Sequence, residues 1–186
     1  MLRIVGGGEK KLMTALIKKN FKGFTLIELL IVMAILGVLA VVVLIAINPV
    51  QQLARTRDAG RKSGVTQIGH AVEAYYTARS GQHPVAANWL SDLSTSGELS
   101  TMPSQIVATL SGFSTCNSFP FSGWCYNTAN GAAIVYTGME SNIERTKCTS
   151  GYAWFVYSTA DGRGGIVCSS SAPTAGSQAS SWAATQ

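Results

Sequence analysis

The sequence is poor in the residues that carry most enzymatic and metal chemistry. It contains only two histidines, His70 and His83, which are isolated from each other and from every cysteine. We find no nucleophile accompanied by a base and an orienting group, and no carboxylate pair placed for acid–base catalysis. These absences argue against an enzyme, and we expect no metal and no cofactor. The histidines are expected on a helix surface and in a turn.

Charge is also scarce, because only 12% of the residues are charged, and its distribution is uneven. The net charge of +5 lies wholly in residues 1–23, which hold six basic residues and one acidic residue. The remaining chain has eight of each sign. A basic leader suits retention on the cytoplasmic side of a membrane, and a neutral remainder gives no clear support for nucleic-acid binding.

Cysteine is absent from the first 115 residues. The chain then contains four, Cys116, Cys125, Cys148 and Cys168. An even number confined to one part of the chain suggests disulfides in an oxidising compartment, although free or buried thiols remain an alternative. Of the three possible pairings, local spacing favours Cys116–Cys125 and Cys148–Cys168.

A long apolar run occupies residues 24–47, and Glu28 is its only charged residue. This is about the 20 apolar residues that a membrane-spanning helix needs. An ordinary secretory signal peptide fits poorly, because the run is too long and no small-x-small cleavage site follows it. Asn48-Pro49 ends the run instead, and proline predicts a kink or a local break in the helix.

The most specific motif stands at the start of this run and reads Lys22-Gly23-Phe24-Thr25-Leu26-Ile27-Glu28. It resembles the N-terminal motif of type IV pilins and of the pseudopilins of type II secretion. The resemblance implies that a prepilin peptidase cuts between Gly23 and Phe24 and methylates Phe24, with Glu28 as the assembly residue. It also implies a homo-polymer held through its N-terminal helices, an inner-membrane precursor and an assembly platform as partner.

The chemistry of Glu28 agrees with this resemblance. A lone carboxylate in a bilayer costs several kcal/mol unless it has a partner. Cleavage would create a cationic amine on Phe24, about one helical turn away, which could neutralise Glu28 of the same or a neighbouring subunit. The alternative is that Glu28 lies near the interface and extends into water.

Beyond the break, Gln51 to Ser80 is predicted to be an amphipathic helix. Its apolar stripe consists of Val65, Ile68, Val72, Tyr75 and Tyr76. A charged cluster is expected to flank the membrane or to pair with neighbouring subunits: Arg55, Arg57, Asp58, Arg61 and Lys62. Three glycines in this helix are expected to be merely tolerated, at about 1 kcal/mol each: Gly60, Gly64 and Gly69.

The last third of the chain alternates short apolar runs with turn residues, which predicts three or four antiparallel strands packed on the helix. We predict strands over residues 124–127, 132–137, 152–158 and 166–168, with Asn130-Gly131 as a hairpin turn. Asp161-Gly162 with Ser158 is similar to part of a pseudopilin calcium loop, but a plain hairpin turn is favoured.

The predicted fold class is therefore α+β, with a long N-terminal transmembrane and amphipathic helix packed on a small antiparallel sheet. The predicted division of the chain is a leader (1–23), a membrane or filament-core helix (24–47), an amphipathic helix (48–80), a connecting αβ-loop (81–123), a cysteine-containing sheet (124–168) and a flexible C-terminal tail (169–186). Within the tail, Trp182 is expected to be exposed or to anchor a neighbouring subunit.

The predicted function is that of a structural pilin, which begins in the inner membrane and ends in a surface filament with its head outside the cytoplasm. Two alternatives remain: a pseudopilin of a type II secretion system, and a signal-anchored membrane binding protein. A third possibility is a DNA-binding uptake pilin, but the neutral net charge of residues 24–186 gives it no special support.

Overall fold

The computed structural model describes residues 23–106, 123–176 and Trp182. The predicted leader therefore lies outside the described residues, apart from Gly23, as does most of the connecting region beyond residue 106. The chain divides into two compact units between Ile47 and Asn48. The described elements are α1 (Leu26–Ile47), α2 (Pro49–Ala78), α3 (Trp89–Ser96), β1 (Cys125–Ala129), β2 (Ala132–Gly138), α4 (Asn142–Arg145), β3 (Tyr152–Ser158) and β4 (Arg163–Ser169).

The described part of the first unit consists of Gly23, Phe24 and Thr25 followed by the helix α1. It is 22 residues long, apolar on all sides, and none of its residues is buried. By length and composition it is able to cross a membrane. The predicted long apolar N-terminal helix is confirmed.

Asn48 separates α1 from α2. Its backbone has φ 48° in the left-handed region, and its side-chain oxygen accepts a hydrogen bond from the N–H of Gln51 at 3.4 Å. Pro49 follows as the first residue of α2, where a missing N–H costs nothing and the fixed φ suits a helix. The predicted interruption is present, and α2 begins two residues before the predicted start at Gln51. It ends at Ala78, before the positive φ angles of Ser80 and Gly81.

The second unit is built around one face of α2, which packs against one face of the sheet. The shared core consists of Val65, Ile68, Ala71, Val72, Trp89, Leu93, Leu99, Trp124, Tyr126, Ala133, Val135 and Tyr157. Most of the predicted stripe is therefore buried or packed against this core. Tyr76 differs, because it is 38% exposed and stacks on His83 with ring centroids 4.5 Å apart.

The sheet is an antiparallel meander in the order β1-β2-β3-β4. Its register places Asn127 opposite Ile134 and Phe155 opposite Ile166. Asn130 and Gly131 both have positive φ, as the predicted two-residue hairpin turn requires. With four strands and the α2 helix, the predicted α+β class is confirmed.

The opposite face of the sheet is covered by residues that follow β4. Ala172, Ala175 and Trp182 pack against the buried side chains there. Trp182 forms an isolated antiparallel bridge with Val167, and the Arg163 guanidinium lies 4.6 Å from its ring centroid. The expectation that Trp182 is exposed is wrong, because the sheet offers a second apolar face that the sequence pattern did not reveal. The flexibility of residues 169–186 stays a prediction.

Two of the glycines in α2 lie against aromatic rings, one just before β1 and one in β3. A Cβ at Gly64 would lie 2.3 Å from the Trp124 ring, and a Cβ at Gly69 would lie 2.3 Å from the Tyr157 ring. Such separations are far below van der Waals contact, so only glycine allows the helix to approach these rings. The expectation that Gly64 and Gly69 are merely tolerated is therefore wrong.

Candidate functional site

The predicted processing junction lies immediately before α1. Gly23, Phe24 and Thr25 precede the helix without regular secondary structure, and all three are exposed. The Phe24 side chain is 85% exposed, and no neighbouring atom lies within 4 Å of a Cβ built on Gly23. In the part of the chain that the structure describes, nothing covers the Gly23–Phe24 peptide bond.

Thr25 and Glu28 form a reciprocal cap at the start of α1. The Thr25 N–H and the Thr25 hydroxyl each donate to Glu28 Oε2 at 2.9 Å, and the Glu28 N–H donates to Thr25 Oγ1 at 3.3 Å. This arrangement is a capping box, in which a threonine and a glutamate three residues later satisfy backbone donors of the first turn. Sequence reasoning missed the role of Thr25, although the Thr-x-x-Glu pattern before an apolar run is a known signal.

This cap gives the Glu28 carboxylate polar partners before any cleavage. A carboxylate at the edge of an apolar helix is costly without hydrogen bonds, and Thr25 supplies two of them. The hydrogen-bonded Thr25 nitrogen directly follows Phe24 in the chain. A new amine on Phe24 would therefore arise one residue from a group that already binds the carboxylate.

A second charged site lies where α2 meets the segment between β2 and β3, and it corrects our expectation for the charged cluster of α2. Asp58 accepts hydrogen bonds from the N–H groups of Glu140, at 3.0 Å, and Ser141, at 2.7 Å. Arg61 is fully buried and binds Asp58 at 2.7 Å and Glu140 at 2.9 Å. Four members of the cluster therefore pair within their own chain, namely Arg57, Asp58, Arg61 and Lys62.

The outer members of the cluster complete this network. Arg57 binds Glu140, and Lys62 binds Glu144, which also forms a salt bridge with Lys147 at 3.0 Å. Of the five residues of the cluster, Arg55 alone makes no ion pair with a residue that the structure describes. The sequence held a signal for the buried pair, because Asp58 and Arg61 continue the spacing of the apolar stripe towards the N-terminus of α2.

Two carboxylates of the network have shifted pKa values. The hydrogen bond from Arg57 is the main cause that lowers the pKa of Glu140, and Arg61 adds to it against the effect of burial. Burial acts most strongly on Glu144 and raises its pKa, but Lys62 and Lys147 together outweigh it, so that the pKa of Glu144 is also lowered. Both groups are therefore held ionised by their basic partners.

Cys148 and Cys168 form a disulfide with Cα atoms 5.4 Å apart, which is the pairing that local spacing favoured. It joins the segment after α4 to β4. Cys125 is disulfide-bonded as well. Cys116 lies outside the described residues, so Cys116–Cys125 stays a prediction.

The remaining candidate residues occupy ordinary structural positions. His70 lies on α2 with its Nδ1 3.1 Å from the Tyr157 hydroxyl, and His83 Nε2 donates to the Gly131 carbonyl at 3.2 Å. Residues 159–162 join β3 to β4 as a hairpin turn, and the Asp161 N–H lies 3.4 Å from Ser158 Oγ. Among the described residues no group of three or more potential metal ligands is present.

Comparison with known proteins matches one part of the chain. Residues 18–44 match the family model described as the prokaryotic N-terminal methylation motif. This range contains the Gly23–Phe24 junction, the Thr25–Glu28 cap and most of α1. Neither the curated proteins nor the solved structures gave a match.

Proposed function

We propose that this chain, whose residues 18–44 carry the N-terminal methylation signature of type IV pilins and pseudopilins, is a structural pilin that polymerises into a surface filament. The proposal rests on one observation: the matched motif includes the Gly23–Phe24 junction, Glu28 and most of the apolar helix α1. Proteins with this signature are generally structural, which agrees with the scarcity of catalytic groups in the sequence.

The first proposed step is processing of a membrane-inserted precursor. A prepilin peptidase hydrolyses the exposed peptide bond between Gly23 and Phe24, and the new α-amine of Phe24 is then methylated. The basic leader stays on the cytoplasmic side, and the disulfide-bearing second unit lies outside the cytoplasm. Support comes from the position of the junction, which precedes the first helical residue by only two residues.

The second proposed step is assembly through Glu28. In the precursor the Glu28 carboxylate is held by Thr25. After processing, the protonated amine of Phe24 on an incoming subunit offers a charged donor, which forms a stronger hydrogen bond than a neutral one. Glu28 thus exchanges the neutral donors of Thr25 for the charged amine of another subunit, which favours addition of that subunit. The apolar surfaces of the α1 helices pack against each other at the same time. Head-to-tail contacts that do not close produce an open filament.

The experiment that tests processing is intact-mass and N-terminal analysis of filaments sheared from the cell surface. We expect a mature chain that begins at methylated Phe24. A chain that still begins upstream of Gly23 would overturn the proposal and would favour a signal-anchored membrane binding protein.

The experiment that tests assembly compares two alanine variants. Glu28→Ala should enter the membrane normally and yield no filaments, whereas Glu98→Ala, which removes a carboxylate of the second unit, should yield filaments as the unmodified chain does. Normal filament yield from Glu28→Ala would refute the role of Glu28.

The alternative within the same signature is a pseudopilin of a type II secretion system. Filament length at native expression separates the two functions, because a pilin gives long surface filaments and a pseudopilin gives short structures that depend on a secretion platform. Deletion of the gene with assay of exoprotein secretion provides the complementary measurement.

A further inference from the structure

The end of the second unit that contains the start of α2 carries an exposed set of apolar and basic side chains. α2 contributes residues from its first two turns, and the tertiary structure adds residues of α4 and Lys147, which are about 90 positions away in sequence. We call this set the basic rim, and its members are Val50, Leu53, Arg55, Ile143, Arg145 and Lys147.

The two halves of the rim are held together by direct contacts. The Asn142 N–H at the start of α4 donates to the Gln51 side chain at 3.0 Å. Glu144 binds Lys62 of α2, and Asp58 accepts from the N–H groups just before α4. These hydrogen bonds and ion pairs hold α4 alongside the first four turns of α2, with Asn142 next to Gln51 and Glu144 next to Lys62.

The charge of this end of the unit differs from that of the rest. Residues 55–62 and 140–147 together hold six basic and three acidic side chains, a net charge of +3. The other charged residues after residue 48 are two basic and four acidic, a net charge of −2. The three acidic side chains in these two ranges, Asp58, Glu140 and Glu144, already form ion pairs with basic residues of the same ranges. Arg55 and Arg145 form no ion pair with any residue in the described ranges.

The exposed apolar members give the rim a second chemical character. Val50 is 66% exposed, Leu53 59% and Ile143 46%. Apolar side chains interspersed with lysine and arginine are the composition of surfaces that bind at the boundary between phospholipid headgroups and acyl chains. With α1 in a bilayer, Val50 would lie close to the bilayer surface, because it follows the last residue of α1 by only three positions, a span of at most about 11 Å.

We propose that the basic rim is a phospholipid-binding surface, on which the second unit rests against a membrane containing anionic lipid while α1 spans it. Arg55, Arg145 and Lys147 bind lipid phosphates, and Val50, Leu53 and Ile143 enter the headgroup boundary. The contact orients the head of the subunit before assembly and is released when the subunit leaves the bilayer. This inference rests on the proposed function, since it requires that α1 spans the membrane.

The test uses the full chain in lipid nanodiscs, with one chain per disc and a paramagnetic label on the lipid headgroup. The discs contain phosphatidylcholine alone or phosphatidylcholine mixed with phosphatidylglycerol. The readout is the relaxation enhancement of the Ile143 methyl group, with the Val85 methyl groups as reference, because Val85 is 65% exposed but lies outside the rim. The leader does not disturb this readout, because it lies on the opposite side of the disc.

We expect a strong enhancement at Ile143 in anionic discs and a weaker one at Val85. The enhancement at Ile143 should fall by about twofold or more in discs of phosphatidylcholine alone, in about 0.5 M salt, and in the double variant Arg55→Gln/Arg145→Gln. Arg79→Gln, which removes an exposed arginine at the other end of α2, should leave it unchanged. Unaltered tryptophan fluorescence of each variant shows that it is folded.

Three outcomes would overturn the proposal. Equal enhancement at Ile143 and Val85, or equal effects of the rim and Arg79 variants, would mean that the rim has no lipid contact of its own. In discs loaded with two or more chains, relaxation enhancement at Ile143 that changes with the number of chains, and not with the lipid charge, would assign the rim to a second copy of the chain. Failure of α1 to enter the disc at all, seen by flotation, would overturn the proposed function together with this inference.

Discussion

Asp58 and Arg61 form a salt bridge of 2.7 Å inside the second unit, where the exposed fractions of the two side chains are only 3% and 0%. The pair also joins α2 to the segment after β2. The Asp58 carboxylate accepts the N–H groups of Glu140 and Ser141, and the Arg61 guanidinium donates to the Glu140 carboxylate. The contact between α2 and the segment after β2 is therefore ionic, in addition to the apolar packing of α2 on the sheet.

Replacement of Asp58 by alanine should destabilise the second unit by about 3–5 kcal/mol, because it leaves a buried guanidinium without its main partner and two N–H groups without an acceptor. The free energy of unfolding is measured by urea titration of the full chain in detergent, followed by near-UV circular dichroism. Asp161→Ala, in the exposed β3–β4 turn, is the control and should change the value by less than about 0.5 kcal/mol. Similar values for the two variants would contradict the structural role of Asp58.

Glu140 should make the stability of the second unit depend on pH in the acidic range. Its pKa is lowered below 4.5 in the folded state, chiefly by the Arg57 hydrogen bond, and returns to its ordinary value on unfolding. The unfolded state then binds more protons, so the stabilisation is fully present above about pH 4.5 and is lost as the pH falls through the folded pKa. Glu140→Gln should flatten the dependence of the melting temperature on pH between about 5 and 3. The control Glu98→Gln should retain the original slope, and a Glu140→Gln curve parallel to the unmodified one would argue against the shift.

Gly64 and Gly60 lie one turn apart on α2 and should respond oppositely to alanine. At Gly64 the new methyl group would meet the rigid Trp124 ring at 2.3 Å, which should cost about 1–3 kcal/mol through overpacking. At Gly60 it would meet only the end of the flexible Ile106 side chain, so the gain in helix propensity of about 1 kcal/mol should keep the variant neutral or more stable. Thermal unfolding of both variants tests the difference. A stable Gly64→Ala variant would mean that the helix does not approach Trp124 so closely.

Thr25 should protect the first turn of α1. Thr25→Val keeps the shape of the side chain but removes the hydroxyl that contacts Glu28, and loss of such a cap costs about 1 kcal/mol. Hydrogen–deuterium exchange of the full chain in nanodiscs should then show exchange of the Glu28 amide about fivefold faster, whereas Thr25→Ser should leave it unchanged. Equal rates in the valine and serine variants would show that the capping box does not stabilise this turn.

The Cys148–Cys168 disulfide should contribute to the stability of the head. Its removal in the Cys148→Ser/Cys168→Ser variant should cost about 3 kcal/mol, since it closes a loop of about 20 residues in the unfolded chain. Peptide mapping under non-reducing conditions should find this bond and Cys116–Cys125. Any other pairing would contradict both assignments.

Local patterns were sufficient to predict most elements of this fold. The apolar run of α1, the break at Asn48-Pro49 and the hairpin at Asn130-Gly131 each follow from the composition and dihedral preferences of a few consecutive residues. The spacing of Val65, Ile68 and Val72 likewise identified the buried face of α2. The junction at Gly23-Phe24 with Glu28 was recognisable because a motif is local by nature.

The sequence by itself determined the apolar helix α1, the N-terminal methylation motif at its start and the antiparallel strands, because each depends on the chemistry of neighbouring residues. Only the tertiary structure decided that Asp58 and Arg61 are buried partners of a segment some 80 residues away, that Gly64 makes room for Trp124, and that Trp182 covers the sheet. The physical reason is that the spacing of Asp58 and Arg61 places them in line with the apolar stripe of α2 but does not identify the segment that supplies their partners. That segment is distant in sequence, and only the packing of the whole chain brings it to the helix.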